Sequence, residues 1–297
     1  MPYPESLKNL IKKVEETRPE RVEKKKSGWE FPSIDVDDRD ALLREFHPDY
    51  RQGTRRPIGV GPSKGYSISN ELVDMLEARS RVDPDLLDLS KPHLEADVLV
   101  IGGGGAGTAA SLLAAENGAK VIMVTKLRHG DANTMMAEGG IQASSKAWKD
   151  SPYYHYLDVL GGGHFKNVPD LVKTLVSNAP EALQWLENLG TSFSKEPDGR
   201  LKTMHGGGTS RKRMHYAADI TGAEIMRTIR DEARSHAEDI EVVEFSPAVE
   251  LVLDQKGRCC GAVLFNLETQ EYRYAKAKAV IMATGGCGRL HIQGFMT

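Results

Sequence analysis

The chain changes character near residue 95. From Ala96 to Ile101 an almost unbroken apolar run ends at the glycine cluster Gly102–Gly105. A short apolar run bounded by turn residues predicts a buried strand. The small and apolar residues 108–118 (TAASLLAAENG) predict a helix stopped at Gly118. A second apolar strand follows at Ala119–Lys126. Strand, glycine turn, helix and strand make one βαβ unit.

Past this unit the pattern predicts a loop from Leu127 to about Ser145, then helices over 153–161 and 168–178. Pro180 predicts the start of another helix, with Leu183, Leu186 and Leu189 facing inward and Gly190 as its stop. Thr203–Arg213 is a loop rich in Gly and Arg. Thr221 and Glu224 have the spacing of a capping box, and Ile225, Met226 and Ile229 form the stripe of the helix it opens. Strands are predicted at Ile240–Phe245, Val249–Leu253, Cys260–Phe265, Tyr272–Ala275 and from Ala279 to the glycines at 285–286, with a turn at Asp254–Gly257. The fold class is therefore α/β, a Rossmann-like domain with a parallel sheet and a β-meander. A meander inside such a sheet suits FAD better than NAD.

Residues 1–94 read as an irregular, partly helical N-terminal arm, and 95–297 as the nucleotide-binding domain. In the arm, Leu7, Leu10, Ile11 and Val14 fall at helical spacing, with Pro19 beyond them and a solvated run at Lys24–Lys26. Ser69–Leu76 predicts another short helix.

Composition narrows the function. A net charge of −3 over 297 residues gives no reason to propose a nucleic-acid partner. No secretory signal opens the chain. The glycine-interrupted run at 96–118 is too short to span a bilayer, which needs about 20 apolar residues. The expectation is a cytoplasmic protein without a transmembrane segment. The cysteines, Cys259, Cys260 and Cys287, form no C-x-x-C pair, so no metal site is expected, and they read as buried small apolar residues.

The chemistry lies in the glycines. Gly102, Gly104 and Gly107 stand in G-x-G-x-x-G order at the mouth of a helix. The first makes the tight turn, the second admits a pyrophosphate, and the third lets helix pack on strand. The helix N-terminus then offers N–H groups and a partial positive charge to phosphate. A Rossmann protein that binds NAD carries a ribose-binding acid at the end of the second strand. Here Thr125 and Lys126 occupy that place, which argues against NAD.

Four segments extend this motif: Val98–Gly107, Asn133–Ile141 (NTMMAEGGI), Ala217–Gly222 (AADITG) and Ala283–Arg289 (ATGGCGR). In this order the region from about 95 to 297 resembles the flavoprotein subunit of the succinate dehydrogenase and fumarate reductase superfamily, to which L-aspartate oxidase also belongs. The resemblance implies bound FAD. Gly102, Gly104, Ala106 and Gly107 are expected at the pyrophosphate. A small hydroxyl residue and Lys, here Thr125 and Lys126, also occur at this place in the fumarate reductase branch. Asn133, Thr134, Ala137, Glu138, Gly139 and Gly140 are expected beside the isoalloxazine, Ala283, Thr284 and Gly285 closing from the last strand, and Ala248 at the adenine.

Many respiratory members join FAD to a histidine directly before this Thr. Asn133 stands there and cannot form the bond, so non-covalent FAD is expected. The loop Met204–His215 resembles L-aspartate oxidase more closely. Its Arg211, Lys212 and Arg213 are candidates to attract a dicarboxylate or the phosphates, while His205 and His215 read as solvated loop residues. The resemblance implies hydride transfer between FAD and a small dicarboxylate. The alternatives are an L-aspartate oxidase-like enzyme and a non-catalytic electron-transfer module. Family members continue past the ATGG strand, so the expectation is that the catalytic acid or base, the capping domain and the last FAD-binding strand lie beyond Thr297 or in a second polypeptide. An iron–sulfur subunit is a further expected partner, one that would hold the chain peripherally at a membrane.

Overall fold

A computed structural model describes residues 4–29, 34–80, 82–83, 85, 87–144 and 149–288. Arg289 of the ATGGCGR segment and Ser145 at the end of the long loop lie outside them. The chain divides into two units, residues 1–79 and 80–297.

In the first unit, helix α1 (Glu5–Lys26) carries no buried residue. It runs straight through Pro19, which the sequence placed beyond the helix. The ring costs one internal hydrogen bond, but the carbonyl it frees lies on a fully solvated helix where water replaces the donor. Lys24–Lys26 form the last turn, where cations suit the helix dipole. Helix α2 (Val36–Phe46) is capped by Asp35, whose side chain accepts from the Asp37 amide. The hairpin β1 (Arg55–Pro57) and β2 (Ser67–Ser69) leads into α3 (Asn70–Leu76). Arg56 ties β1 to α3 through Asp74 at 2.6 Å and Glu77 at 2.8 Å.

The second unit is built on the predicted βαβ motif: β3 (Leu94–Ile101), α4 (Gly105–Glu116) and β4 (Val121–Val124). After a 3-10 turn at Asn133–Met136 come β5 (Ile141–Gln142), α5 (Pro152–Gly162), α6 (Pro169–Asn188), β6 (Thr203–Met204), β7 (Met214–His215) and α7 (Thr221–Ser235). The remaining strands are β8 (Ile240–Val243), β9 (Ala248–Leu253), β10 (Cys259–Phe265) and β11 (Tyr272–Met282). The main sheet has the order β8-β4-β3-β11-β10-β9. Strands β8, β4, β3 and β11 are parallel, and β10 and β9 are antiparallel additions. One core, with Val100, Leu112, Met123, Leu186, Met226 and Ile229, joins the parallel strands to α4, α6 and α7. A second gathers Leu99, Ile101, Ile122 and Val124 with Ala262, Leu264 and Ala275 of the meander. Among the described residues no helix is long and apolar enough to cross a membrane.

The structure corrects four further local expectations. Helix α6 is one element through Pro180, where the sequence predicted two. Its buried residues Val172, Val176, Leu183 and Leu186 keep one helical stripe across the proline, and burial of that stripe outweighs a cost of about 3 kcal/mol. The last two predicted strands are the single strand β11. Lys276 and Lys278, which broke the apolar pattern, point outward to Glu95 and Asp97. Thr221 caps nothing; its Oγ1 accepts from the Ala217 amide and donates to the Glu138 carbonyl, while Glu224 accepts from the Ser192 amide. The cysteines are not buried: Cys259 and Cys260 are half-exposed beside a bulge in β10, and Cys287 is exposed.

Candidate functional site

The end of β3 fixes the geometry. Gly102 has φ +119°, and a Cβ there would lie 2.3 Å from the Ala283 carbonyl oxygen. The glycine turn therefore abuts the end of β11, where Ala283 donates its amide to Ile101 at 2.8 Å. A Cβ at Gly107 would lie 1.8 Å from the Gly102 oxygen, so only glycine lets α4 approach the turn. Gly103 rests on buried Thr125, and Gly104 faces Ala132. Ala106 and Lys126 are exposed at the rim.

The N-terminus of α4 has no side-chain cap and no acidic residue in its first turn. Its positive end is left for an anion. Thr134 Oγ1 accepts from the Gly105 amide at 3.2 Å and ties the 3-10 turn to the glycine turn. Thr134→Val keeps the shape and removes this acceptor. It is expected to cost about 1 kcal/mol, seen in thermal melts as a fall of a few degrees in Tm.

A cleft of about 230 Å³ opens beside the turn, lined by Ile101, Ala248, Val249, Glu250, Leu251, Met282 and Thr284. It joins Ala248 and Thr284, which are far apart in sequence, to the residue before Gly102. Gly285 follows with φ +76°. Thus the start of β9 and the end of β11 meet beside Ile101, the residue that enters the glycine turn. The uncapped helix end and the crowded glycine cradle suit a dinucleotide.

The Asn133–Gly140 loop lies along the start of α7. Asn133, Ala137, Glu138 and Gly139 are exposed and Gly140 half-buried. Gly140 has φ +141°, and a Cβ there would lie 2.5 Å from the His215 oxygen. Gly222 presses closest on the loop: its Cβ would lie 1.9 Å from the Thr134 oxygen, and its amide donates to Ala137 at 2.6 Å. Sequence reasoning gave Gly222 no role. Beyond its place at the end of the AADITG segment, its signal was a glycine inside the first turn of a helix, where glycine is otherwise unfavourable.

Two expectations about the Met204–His215 loop fail. Arg213 is fully buried and forks onto Asp150 and Asp158, so it does not reach a ligand. Burial opposes its charge, but the two carboxylates outweigh that and hold the guanidinium above its ordinary pKa. Arg211 lies over the Tyr154 ring at 4.6 Å. His215 is buried, with Nε2 3.2 Å from the Ala143 carbonyl. His205 is exposed as expected.

His129 is buried, with Nε2 3.0 Å from Thr108 Oγ1, and its amide donates to Glu244 at 2.7 Å. Burial, helped by Arg234 and Arg230, lowers its pKa to about 4.

Comparison with known proteins agrees with this geometry. The sequence model of the FAD binding domain family matches residues 97–297. An uncharacterized FAD-dependent oxidoreductase of Methanocaldococcus jannaschii is 40% identical over 199 residues, 67% of this chain and 36% of the relative. The fumarate reductase flavoprotein subunit of Mycobacterium tuberculosis is 36% identical over 65% of this chain and 33% of its own length. Among solved structures, the Mycobacterium smegmatis Sdh1 complex matches with TM-score 0.61 and 35% identity, over 66% of this chain and 35% of that one. This chain spans about a third of the length of the curated relatives it matches.

Proposed function

Because the chain belongs to the FAD-binding domain family found in fumarate reductase and succinate dehydrogenase flavoproteins, we propose that it is the FAD-binding part of an oxidoreductase acting on a small dicarboxylate. The observation that carries this reading is the meeting of Thr134, Ala283 and Thr284 with the Gly102–Gly107 turn, with Ala248 and Thr284 lining the cleft beside Ile101. When bound, FAD supplies hydride transfer. The chain's own residues bind and orient. The α4 N-terminus and Gly102–Gly107 receive the pyrophosphate, with Thr125 and Lys126 at the ribose. The cleft at Ala248 and Thr284 takes the adenine end. The Thr134–Gly140 backbone faces the isoalloxazine, and small residues there leave room for substrate.

The flavin is held without a covalent bond, because Asn133 offers no nucleophilic ring nitrogen. Acid precipitation of the FAD-loaded chain is expected to leave a white pellet and a yellow supernatant. A yellow pellet that survives washing would show a covalent link. Substrate class is tested on the FAD-loaded chain together with the segment or second polypeptide that carries the catalytic acid or base, reduced with a reduced dye and then given fumarate without oxygen. Reoxidation supports the dicarboxylate reading. Failure to reoxidise, with FAD still bound, favours the electron-transfer module.

A further inference from the structure

One buried charge cluster lies outside the cofactor cradle. Arg213 stands just before β7, with a side chain of 0% exposure. Its Nε and Nη2 donate to the two Asp150 oxygens at 3.1 and 2.7 Å, and its Nη1 donates to Asp158 on α5. Asp158 Oδ2 also accepts from the Ser210 amide and hydroxyl at 2.9 and 3.0 Å. Three donors from the 210–213 loop thus meet one carboxylate of α5.

The backbone of Arg213 faces the other way. Its carbonyl accepts from the Ala143 amide at 3.1 Å, the first rung beyond the β5–β7 pairing of Ile141 with His215 and Gln142 with Met214. The next residues of β7 form the floor under Gly140, where a Cβ would meet Met214 Cγ at 2.7 Å and the His215 oxygen at 2.5 Å. Gln142 in turn packs against Gly206. The path runs from α5 through the charge cluster to β7, and from β7 to the Gly139–Ala143 backbone. No other ion pair among the described residues has a fully buried partner.

The geometry points to Arg213 as a positioning residue: its paired contact with Asp150 and Asp158 fixes the backbone of Gly139–Ala143. Under the proposed function the flavin-facing loop Thr134–Gly140 ends on this stretch, so the role toward FAD rests on that reading. Breaking a buried pair is costly because it strands a charge. A rigid supporting layer is what keeps a site's backbone in place.

The test uses the full chain and two variants. Arg213→Lys keeps the charge and loses the fork; Asp158→Asn keeps the shape and loses the charge. Amide hydrogen exchange is measured first without flavin. The Ala143 amide is expected to exchange about tenfold faster or more, with β3 and β4 protected as in the parent. Unchanged Ala143 protection overturns the proposal, and so does equal loss across β3 and β4, which marks a merely global destabilisation. FAD titration by fluorescence is the second arm. Weakening by about tenfold with a blurred flavin absorption band supports the role toward FAD. A parent chain that binds no FAD defeats the flavin reading and leaves the exchange result to decide the positioning role. If Arg213→Lys does not fold, Asp158→Asn carries both arms.

Discussion

Gly107→Ala is expected to weaken FAD binding by more than about 100-fold and to lower the stability of the chain by about 3 kcal/mol. The added Cβ would lie 1.8 Å from the Gly102 carbonyl oxygen and 3.3 Å from Val100 Cγ1. The first is backbone, so no side-chain rotation relieves it. Gly102 cannot retreat, because a Cβ on it would itself strike the Ala283 oxygen and its φ is +119°. Helix α4 cannot retreat either, since Leu112 and Ala115 are buried in the core with Met226 and Ile229 of α7. Overpacking of a close-packed contact costs about 1–3 kcal/mol, more when backbone must move. At about 3 kcal/mol the binding constant would fall by more than about 100-fold. Urea denaturation and FAD titration measure both effects. Gly118→Ala is the control: it also has positive φ, +82°, but nothing lies within 4 Å of its Cβ. It should cost about 1–2 kcal/mol, from φ alone, and spare FAD binding. Parent-like stability and affinity in Gly107→Ala would mean that the turn does not hold α4 in this way.

The contrast shows why part of the site was legible in sequence. A glycine turn between a strand and a helix leaves a local signature, because the backbone itself needs the missing side chain. The same holds for the apolar runs of β3 and β4. Where tertiary packing competes with local preference, the sequence misleads. Pro180 looks like a helix start, yet the stripe Val172–Val176–Leu183–Leu186 continues past it. Lys276 looks like a break, yet alternate residues of β11 face water without ending the strand. Thr221 has the spacing of a cap, but its hydroxyl is taken by Ala217 and Glu138. Arg213 was least legible. Its partners Asp150 and Asp158 lie 63 and 55 residues away, and nothing local marks an arginine that the fold will bury.

Acid is expected to destabilise the chain from pH 6.5 downward, before most carboxylates titrate. His129 has a folded pKa of about 4 against an ordinary value of 6.5, lowered first by burial and then by Arg234 and Arg230, with Glu244 opposing. His155 and His215 are also lowered, chiefly by burial. All three are neutral in the fold and protonate more readily when it opens. Below pH 6.5 the unfolded chain therefore binds more protons than the folded one, so stability falls as pH falls. The loss from His129 is complete near pH 4. A shift from 6.5 to about 4 corresponds to roughly 3 kcal/mol at about 1.36 kcal/mol per unit. The paired carboxylates, such as Asp158 and Glu224, have lowered pKa values and add their own loss only at lower pH. The upper part of that fall, between about pH 6.5 and 5.5, therefore comes chiefly from the histidines, and comparison with a histidine variant cancels the carboxylate part below it. His129→Gln offers Thr108 a neutral amide in place of the ring. Its urea stability should be lower than the parent's at pH 7.5 and should fall less steeply between pH 6.5 and 4.5. Equal slopes for the two proteins would show that His129 titrates alike in the folded and unfolded chains.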